Sequence, residues 1–194
     1  MIQIEVDAKQ LKRLREATGR AKKKFPKELA AAINQVSKKV KLQIGRDVRA
    51  TIAINKEESE KPLKITAQAT EENLRAVVTL RKTKRLGLRH FGAKQDARGV
   101  SYKIDKQSGR KRVQGGFQGP RPGVMKTSWR GNVFRRVGKS RLPIIHVRGV
   151  SAYAAYMKNE LAEPQVKMIN EELSKQIERR IKLNILRAEG LVSK

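Results

Sequence analysis

The sequence predicts an α+β fold, with helices at both ends and a central, mostly antiparallel β-sheet between them. An apolar stripe at steps of three and four residues runs through the first quarter, and a four-residue apolar repeat runs through the last. Between them lie short stretches of alternating apolar and polar residues. With 194 residues, the chain is long enough for one domain with a true core. We therefore expect a single domain, 1–194, with N-terminal helices in 1–52, a basic β region in 74–148 and a C-terminal helix in 164–190.

Two helices are predicted in the N-terminal region. Asp7 is placed to cap the first, and Gly19 is placed to end it. The second opens at Phe25-Pro26, because proline suits the first helical turn, and it extends to about Thr51. Its apolar stripe consists of Leu29, Ile33, Val36, Val40, Ile44 and Val48.

The middle of the chain favours strands. Residues 55–60 fit either a short helix or a loop, and the rest of 52–73 has no clear pattern. Residues 74–81 alternate between two faces, which predicts a strand. Further strands are predicted at 86–90, at 100–104 and, after a turn, at 111–114.

A glycine- and proline-rich segment separates these strands from a final pair. Six of the nine residues in Gly115–Gly123 are Gly or Pro, which predicts a loop that becomes ordered on binding. Strands are expected at Val133–Val137 and Ile144–Val147, joined by a basic turn. The last helix is expected to begin at Pro164 and to carry Ile169, Leu173, Ile177, Ile181 and Ile185 on a stripe that winds around its axis.

Positive charge dominates the composition, with 46 Lys and Arg against 18 Asp and Glu and a net charge of +28. Residues 82–141 hold 18 of these cations and two acids, a net charge of +16. Solubility alone needs a net charge of only ~2–8 in a small domain. We expect a surface that contacts a polyanion or an acidic partner, formed by Lys82, Lys84, Arg85, Arg110, Lys111, Arg112, Arg135, Arg136, Lys139 and Arg141. Because aromatic residues make up only 4%, base stacking on single strands is disfavoured.

Catalytic, cofactor and metal sites are not expected. The chain has no cysteine and only two histidines, His90 and His146, so neither thiolate chemistry nor a His/Cys metal cluster is indicated. Gly138-Lys139-Ser140 resembles the end of a phosphate-binding Walker loop, but the position that requires its first glycine holds Val133. No apolar run approaches ~18 residues, and no signal peptide is visible, so neither a membrane partner nor secretion is expected.

Three stretches carry a family resemblance. Residues 135–144 resemble the basic R-V-x-G-K-x-R-x-P-I turn of the minor tail protein Z family of long-tailed bacteriophages, without the residue that those proteins carry between valine and glycine. Residues 31–36 are similar to the A-x-A-I-N-x-V start of that family's long N-terminal helix. The stretch 172–181 resembles its closing amphipathic helix.

The resemblance implies a non-enzymatic tail-completion protein of the virion, made in the host cytoplasm and acting at the head-proximal end of the tail. The expected partners are neighbouring copies in a ring, most simply sixfold, the tail terminator or tail tube and neck proteins, and DNA in the channel without sequence specificity. The basic region would then face either that DNA or acidic surfaces of adjoining rings. The alternative from charge alone is a sequence-independent nucleic-acid-binding protein.

Overall fold

The structure is a computed structural model that describes residues 2–5, 25–119 and 131–188. It confirms the α+β class: within these ranges, helices combine with three antiparallel sheets. The helix predicted between Asp7 and Gly19 and the last part of the glycine- and proline-rich segment lie outside the described residues.

The described elements are two long and two short α-helices, one 3₁₀ helix and nine short strands. The helices are α1 (Phe25–Thr51), α2 (Lys56–Glu60), α3 (Ala152–Lys158) and α4 (Ala162–Ala188), with a 3₁₀ helix at Leu88–Phe91. The strands are β1 (Ile2–Glu5), β2 (Leu63–Ala67), β3 (Arg75–Leu80), β4 (Lys94–Asp96), β5 (Gly99–Tyr102), β6 (Lys111–Gln114), β7 (Gly116–Gln118), β8 (Val133–Arg136) and β9 (Ile144–His146).

The chain divides into two compact units. Unit 1 comprises Met1–Ile44, Leu63–Arg81 and Leu161–Lys194. Unit 2 comprises Gly45–Pro62 and Lys82–Glu160. Helix α1 therefore contributes residues to both units.

Unit 1 combines most of α1, α4 and the sheet β1-β3-β2. The predicted α1 stripe is buried throughout, because its spacing keeps these residues on one face of the helix. In the sheet, Ala76, Val77 and Val78 of the central strand β3 are all buried, although consecutive strand residues point to opposite faces. Both faces of β3 are therefore covered at its centre, whereas Arg75, Thr79 and Leu80 at its ends are partly exposed.

Polar contacts join α4 to α1 beside the apolar core. The Arg180 guanidinium lies 2.6 Å from a carboxylate oxygen of Glu28. Lys39 donates a hydrogen bond to Glu172, and this bond lowers the pKa of the Glu172 carboxyl below its ordinary value. Helix α4 begins at Ala162, so Pro164 lies within its first turn and not, as was predicted, at its start. Proline is tolerated there, because N–H groups of the first turn have no partner within the helix.

Asn34 links α1 to the chain after β2 by two hydrogen bonds. Its Nδ2 donates to the Ala69 carbonyl at 2.9 Å, and its Oδ1 accepts from the Ala69 amide at 2.8 Å. Asn34→Ala leaves the backbone N–H and C=O of Ala69 without these partners. The loss is costly because Ala69 is buried. We expect a loss of about 2 kcal/mol in the free energy of unfolding, measured by chemical denaturation, with exposed Lys38→Ala as a control that loses less than about 0.5 kcal/mol. Equal losses would contradict this role.

Unit 2 holds two three-stranded sheets, β4-β5-β6 and β7-β8-β9. The strands are antiparallel, as predicted, but with β1-β3-β2 they form three sheets rather than one central sheet. Gly115, with a φ of 63°, turns the chain between β6 and β7. In this turn the chain leaves one sheet and enters the next, and Gln118 of β7 then donates its backbone N–H to Gln95 of β4 at 2.8 Å.

Two sequence predictions in unit 2 are wrong. Residues 88–91 form a 3₁₀ helix instead of the predicted strand, because Leu88 and Phe91 are both buried and residues three apart share a face in a 3₁₀ helix but not in a strand. The start of the predicted loop Gly115–Gly123 is strand β7, whose Phe117 pairs with Phe134. Their ring centroids lie 6.0 Å apart, so the sequence composition concealed a packed strand.

Candidate polyanion-binding surface

All ten cations predicted to contact a polyanion are exposed, and all belong to unit 2. The structure places them in three groups. Lys82, Lys84 and Arg85 lie on the irregular segment after β3. The second group, Arg110, Lys111 and Arg112, enters and forms β6, and the third, Arg135, Arg136, Lys139 and Arg141, occupies the end of β8 and the turn that leads to β9.

The third group lies on the β8–β9 hairpin, defined here as Val133–His146. Phe134 pairs with His146 across these strands, and the two rings lie 5.2 Å apart. The Arg136 guanidinium stacks over the Phe117 ring, 5.3 Å from its centroid, and donates a hydrogen bond to the Arg141 carbonyl. Arg136 therefore fixes the turn on its aromatic base as well as adding a charge.

Arg110 and Arg112 are also held by contacts within the chain. The Nη2 of Arg110 lies 2.7 Å from the Gly92 carbonyl oxygen and 3.0 Å from that of Ser101. Arg112 forms an ion pair with Asp96 at 2.7 Å. Arg110 thus joins the segment before β6 to β5 and to the loop before β4, and Arg112 joins β6 to β4.

The side chains of the other seven predicted cations form no hydrogen bond or ion pair with the part of the chain that the structure describes. We call them the open cations: Lys82, Lys84, Arg85, Lys111, Arg135, Lys139 and Arg141. Their side chains are exposed and can contact an outside partner, whereas the side chains of Arg110, Arg112 and Arg136 form contacts within unit 2.

Adjacent residues in β6 and its approach separate these two roles. Arg110→Gln removes the contacts to Gly92 and Ser101, and we expect a loss of about 1 kcal/mol in the free energy of unfolding. Lys111→Gln removes the same charge without breaking a side-chain hydrogen bond or ion pair in the described structure, and we expect a change below about 0.5 kcal/mol. Urea denaturation of both variants tests this difference, and equal stabilities would show that the Arg110 contacts contribute nothing.

Both histidines of the chain accept hydrogen bonds from neighbouring arginines. The Nε of Arg89 lies 3.0 Å from His90 Nε2, and the Nε of Arg148 lies 3.3 Å from His146 Nδ1. Residues 87 and 148 form an antiparallel bridge. Burial, followed by the repulsion of Arg148 and Arg89, lowers the pKa of His146. The pKa of His90 is also lowered, mainly by burial, although Glu58 opposes this shift.

These lowered pKa values predict a loss of stability on acidification. The unfolded imidazoles, with pKa values near 6.5, take up protons more readily than the folded ones, so unfolding takes up protons just below that pH. The stabilisation is complete above the unfolded value and declines as pH falls below it. Thermal unfolding from about pH 7.5 to about pH 5.5 measures this decline. His90→Gln/His146→Gln is expected to flatten it, and an unchanged slope would contradict the assignment.

The sequence analysis predicted no role for either histidine. In the described residues, no three His, Cys, Asp or Glu side chains are grouped as a metal site would require. Nor does any described helix combine the length and apolar character needed to cross a membrane. Comparisons with protein-family models, with curated proteins and with solved structures found no match.

Proposed function

We propose that the protein is a non-enzymatic structural subunit that completes the tail of a long-tailed bacteriophage. One observation carries this proposal: the open cations lie on the surface of unit 2, and the described structure gives them no acidic counterpart within the chain. Charge of one sign on a folded surface costs free energy through self-repulsion, which an anionic neighbour removes. A tail-completion subunit has such neighbours, in the form of DNA or acidic faces of adjoining rings.

The placement of the three resembling stretches supports the phage assignment. Residues 31–36 lie in α1, residues 135–144 span the turn of the β8–β9 hairpin, and residues 172–181 lie in α4. Each stretch thus has the type of element that the resemblance implies: a long N-terminal helix, a basic turn and a closing helix.

A ring of identical subunits accounts for the concentration of charge. A heterologous interface closes when each copy is rotated by the right angle relative to the last. Six copies would gather a net charge of +168 around the path of the DNA at the head-proximal end of the tail. Such a ring attracts DNA through its phosphates and therefore without reading its sequence.

Localisation in purified tailed particles tests the proposal. A gold-labelled antibody raised against this chain is expected to mark the junction of head and tail, or the upper end of tails that lack heads. Particles from a strain that does not express the chain serve as the control. Label on the capsid or the distal tip, or on no particle at all, would remove the proposal.

The second candidate is a sequence-independent nucleic-acid-binding protein, and the open cations also favour it. Such a protein binds duplex DNA as an isolated monomer, with an affinity that falls steeply with salt. A ring subunit instead binds weakly alone and gains affinity on assembly, because many weak contacts then act together. Titration of monomer and assembled fractions with the same duplex separates the two candidates.

A further inference from the structure

The tip of the β8–β9 hairpin combines exposed aliphatic side chains with positive charge. Val137 is 59% exposed and Leu142 is 67% exposed, and both flank the turn that carries Lys139 and Arg141. On β9, Ile145 is 44% exposed and pairs with Arg135 of β8. The tip therefore exposes both apolar and cationic side chains to solvent.

The conformation of this tip is held by contacts at its base. The Val137 amide donates to the Pro143 carbonyl at 3.1 Å. Arg136 adds its hydrogen bond to Arg141 and its stacking on Phe117. A surface that is already ordered loses little conformational entropy on binding, and this favours a partner of defined shape.

The charge of the hairpin restricts the partner further. No Asp or Glu occurs between Val133 and Val150, whereas Arg135, Arg136, Lys139, Arg141 and Arg148 do. A second copy of this chain is a poor match, because its 46 cations outnumber its 18 acids. The partner must supply carboxylates from a different chain.

We propose that this hairpin tip docks into an apolar recess, rimmed by carboxylates, on an acidic protein. Duplex DNA would attract the cations, but its phosphate backbone has no apolar surface that could bury Val137 and Leu142. Complete burial of a Val or Leu side chain against a protein contributes about 1.5–3 kcal/mol. A bilayer accepts both apolar and cationic groups, but it has no defined shape that would complement the ordered turn. The inference rests on the proposed function only in taking the partner to be a protein of the same assembly.

Selection from a displayed library of randomised peptides tests this inference with the full-length protein as bait. We expect enriched peptides that combine Asp or Glu with Leu, Ile or Phe. The double variant Val137→Ser/Leu142→Ser is expected to bind the best such peptide at least ~10-fold more weakly, and so is Lys139→Gln/Arg141→Gln. Met157→Ser, which alters a similarly exposed apolar residue of α3, is the matched control and is expected to bind normally.

Two further probes separate the other partner classes. Short duplex DNA and vesicles of equal parts phosphatidylcholine and phosphatidylglycerol are titrated with the same variants, after circular dichroism has shown that each is folded. Val137→Ser/Leu142→Ser is expected to leave DNA affinity unchanged and to leave vesicle binding unchanged. The inference is overturned if enriched peptides lack apolar residues, if none is enriched, or if the apolar variant loses vesicle binding instead. Any of these results leaves the localisation of the protein in the particle as a separate question.

Discussion

Replacement of Gly99 by alanine is expected to lower the free energy of unfolding of unit 2 by about 3 kcal/mol or more. Gly99 begins β5 with a φ of 129°, a conformation that residues with a Cβ rarely adopt. A Cβ at this position would lie 2.2 Å from the carbonyl oxygen of Val113. Because that atom belongs to the backbone of β6, relief of the clash requires the two paired strands to separate.

Gly109→Ala is the matched control for this change. Gly109 lies in the turn between the same two strands, and a Cβ there would meet nothing within 4 Å. We expect its free energy of unfolding to change by less than about 0.5 kcal/mol. Urea denaturation of both variants, followed by circular dichroism, measures the contrast. A Gly99→Ala protein as stable as the control would show that β5 and β6 are not paired as described.

Neutralisation of the open cations is expected to weaken binding to short duplex DNA by about 100-fold or more at about 50 mM salt. Each phosphate that the variant no longer contacts keeps its condensed counterions. Fewer counterions are then released on binding, so the dependence of affinity on salt also becomes shallower. The variant changes all seven open cations to Gln, and fluorescence anisotropy at several salt concentrations measures both effects. Stability is expected to be preserved, because none of the seven side chains forms a hydrogen bond or ion pair with the described part of the protein.

An equal change of net charge in unit 1 is the matched control. It converts seven exposed cations to Gln, namely Lys27, Lys38, Lys64, Lys167, Lys175, Arg179 and Lys182. We expect DNA affinity to fall by less than about 10-fold, because long-range attraction is screened beyond about 10 Å at 0.1 M salt. Equal losses in the two variants would mean that net charge, and not the surface of unit 2, attracts the polyanion.

The helices were predictable where one periodic pattern was supported by a local signal. Helix α1 has both an unbroken apolar stripe and Pro26 at its start, and these agree with each other. The hydrogen bonds between Asn34 and Ala69 were not predictable, although Asn34 lies in α1, because they join positions 35 residues apart. The cap of α3 was missed for a different reason: the helix is short, and Ser151, which accepts from the Ala154 amide, is its main signal.

The strands show how tertiary contacts decide between local patterns. The alternation at 86–90 fits a strand, but Gly149 lies so close to Phe91 that an added Cβ would come within 2.5 Å of the ring. This packing, which brings together residues distant in sequence, selects the 3₁₀ helix. Strand β4 was not recognisable, because its three residues are all polar and exposed. It is formed by pairing with β5 rather than by burial of its own side chains.

The candidate surface was predictable as a set of charges but not as a set of roles. The distribution of charge along the sequence placed these ten cations in one region, residues 82–141. It gave no means of distinguishing Arg110, whose contacts lie 9 and 18 residues away, from its neighbour Lys111. Likewise, the placement of Arg136 on Phe117 depends on strand β7, which the sequence pattern concealed. The open cations could be identified only after these internal contacts had been seen.

A near-atomic density map of the assembled particle tests the central claim most directly. The claim is that the basic surface of unit 2 faces concentrated negative charge within a larger assembly. We predict that most of the seven cations will have a phosphate oxygen or a carboxylate oxygen of another molecule within about 4 Å. A map in which these side chains extend into solvent, with neither DNA nor an acidic neighbour opposite them, would contradict the account.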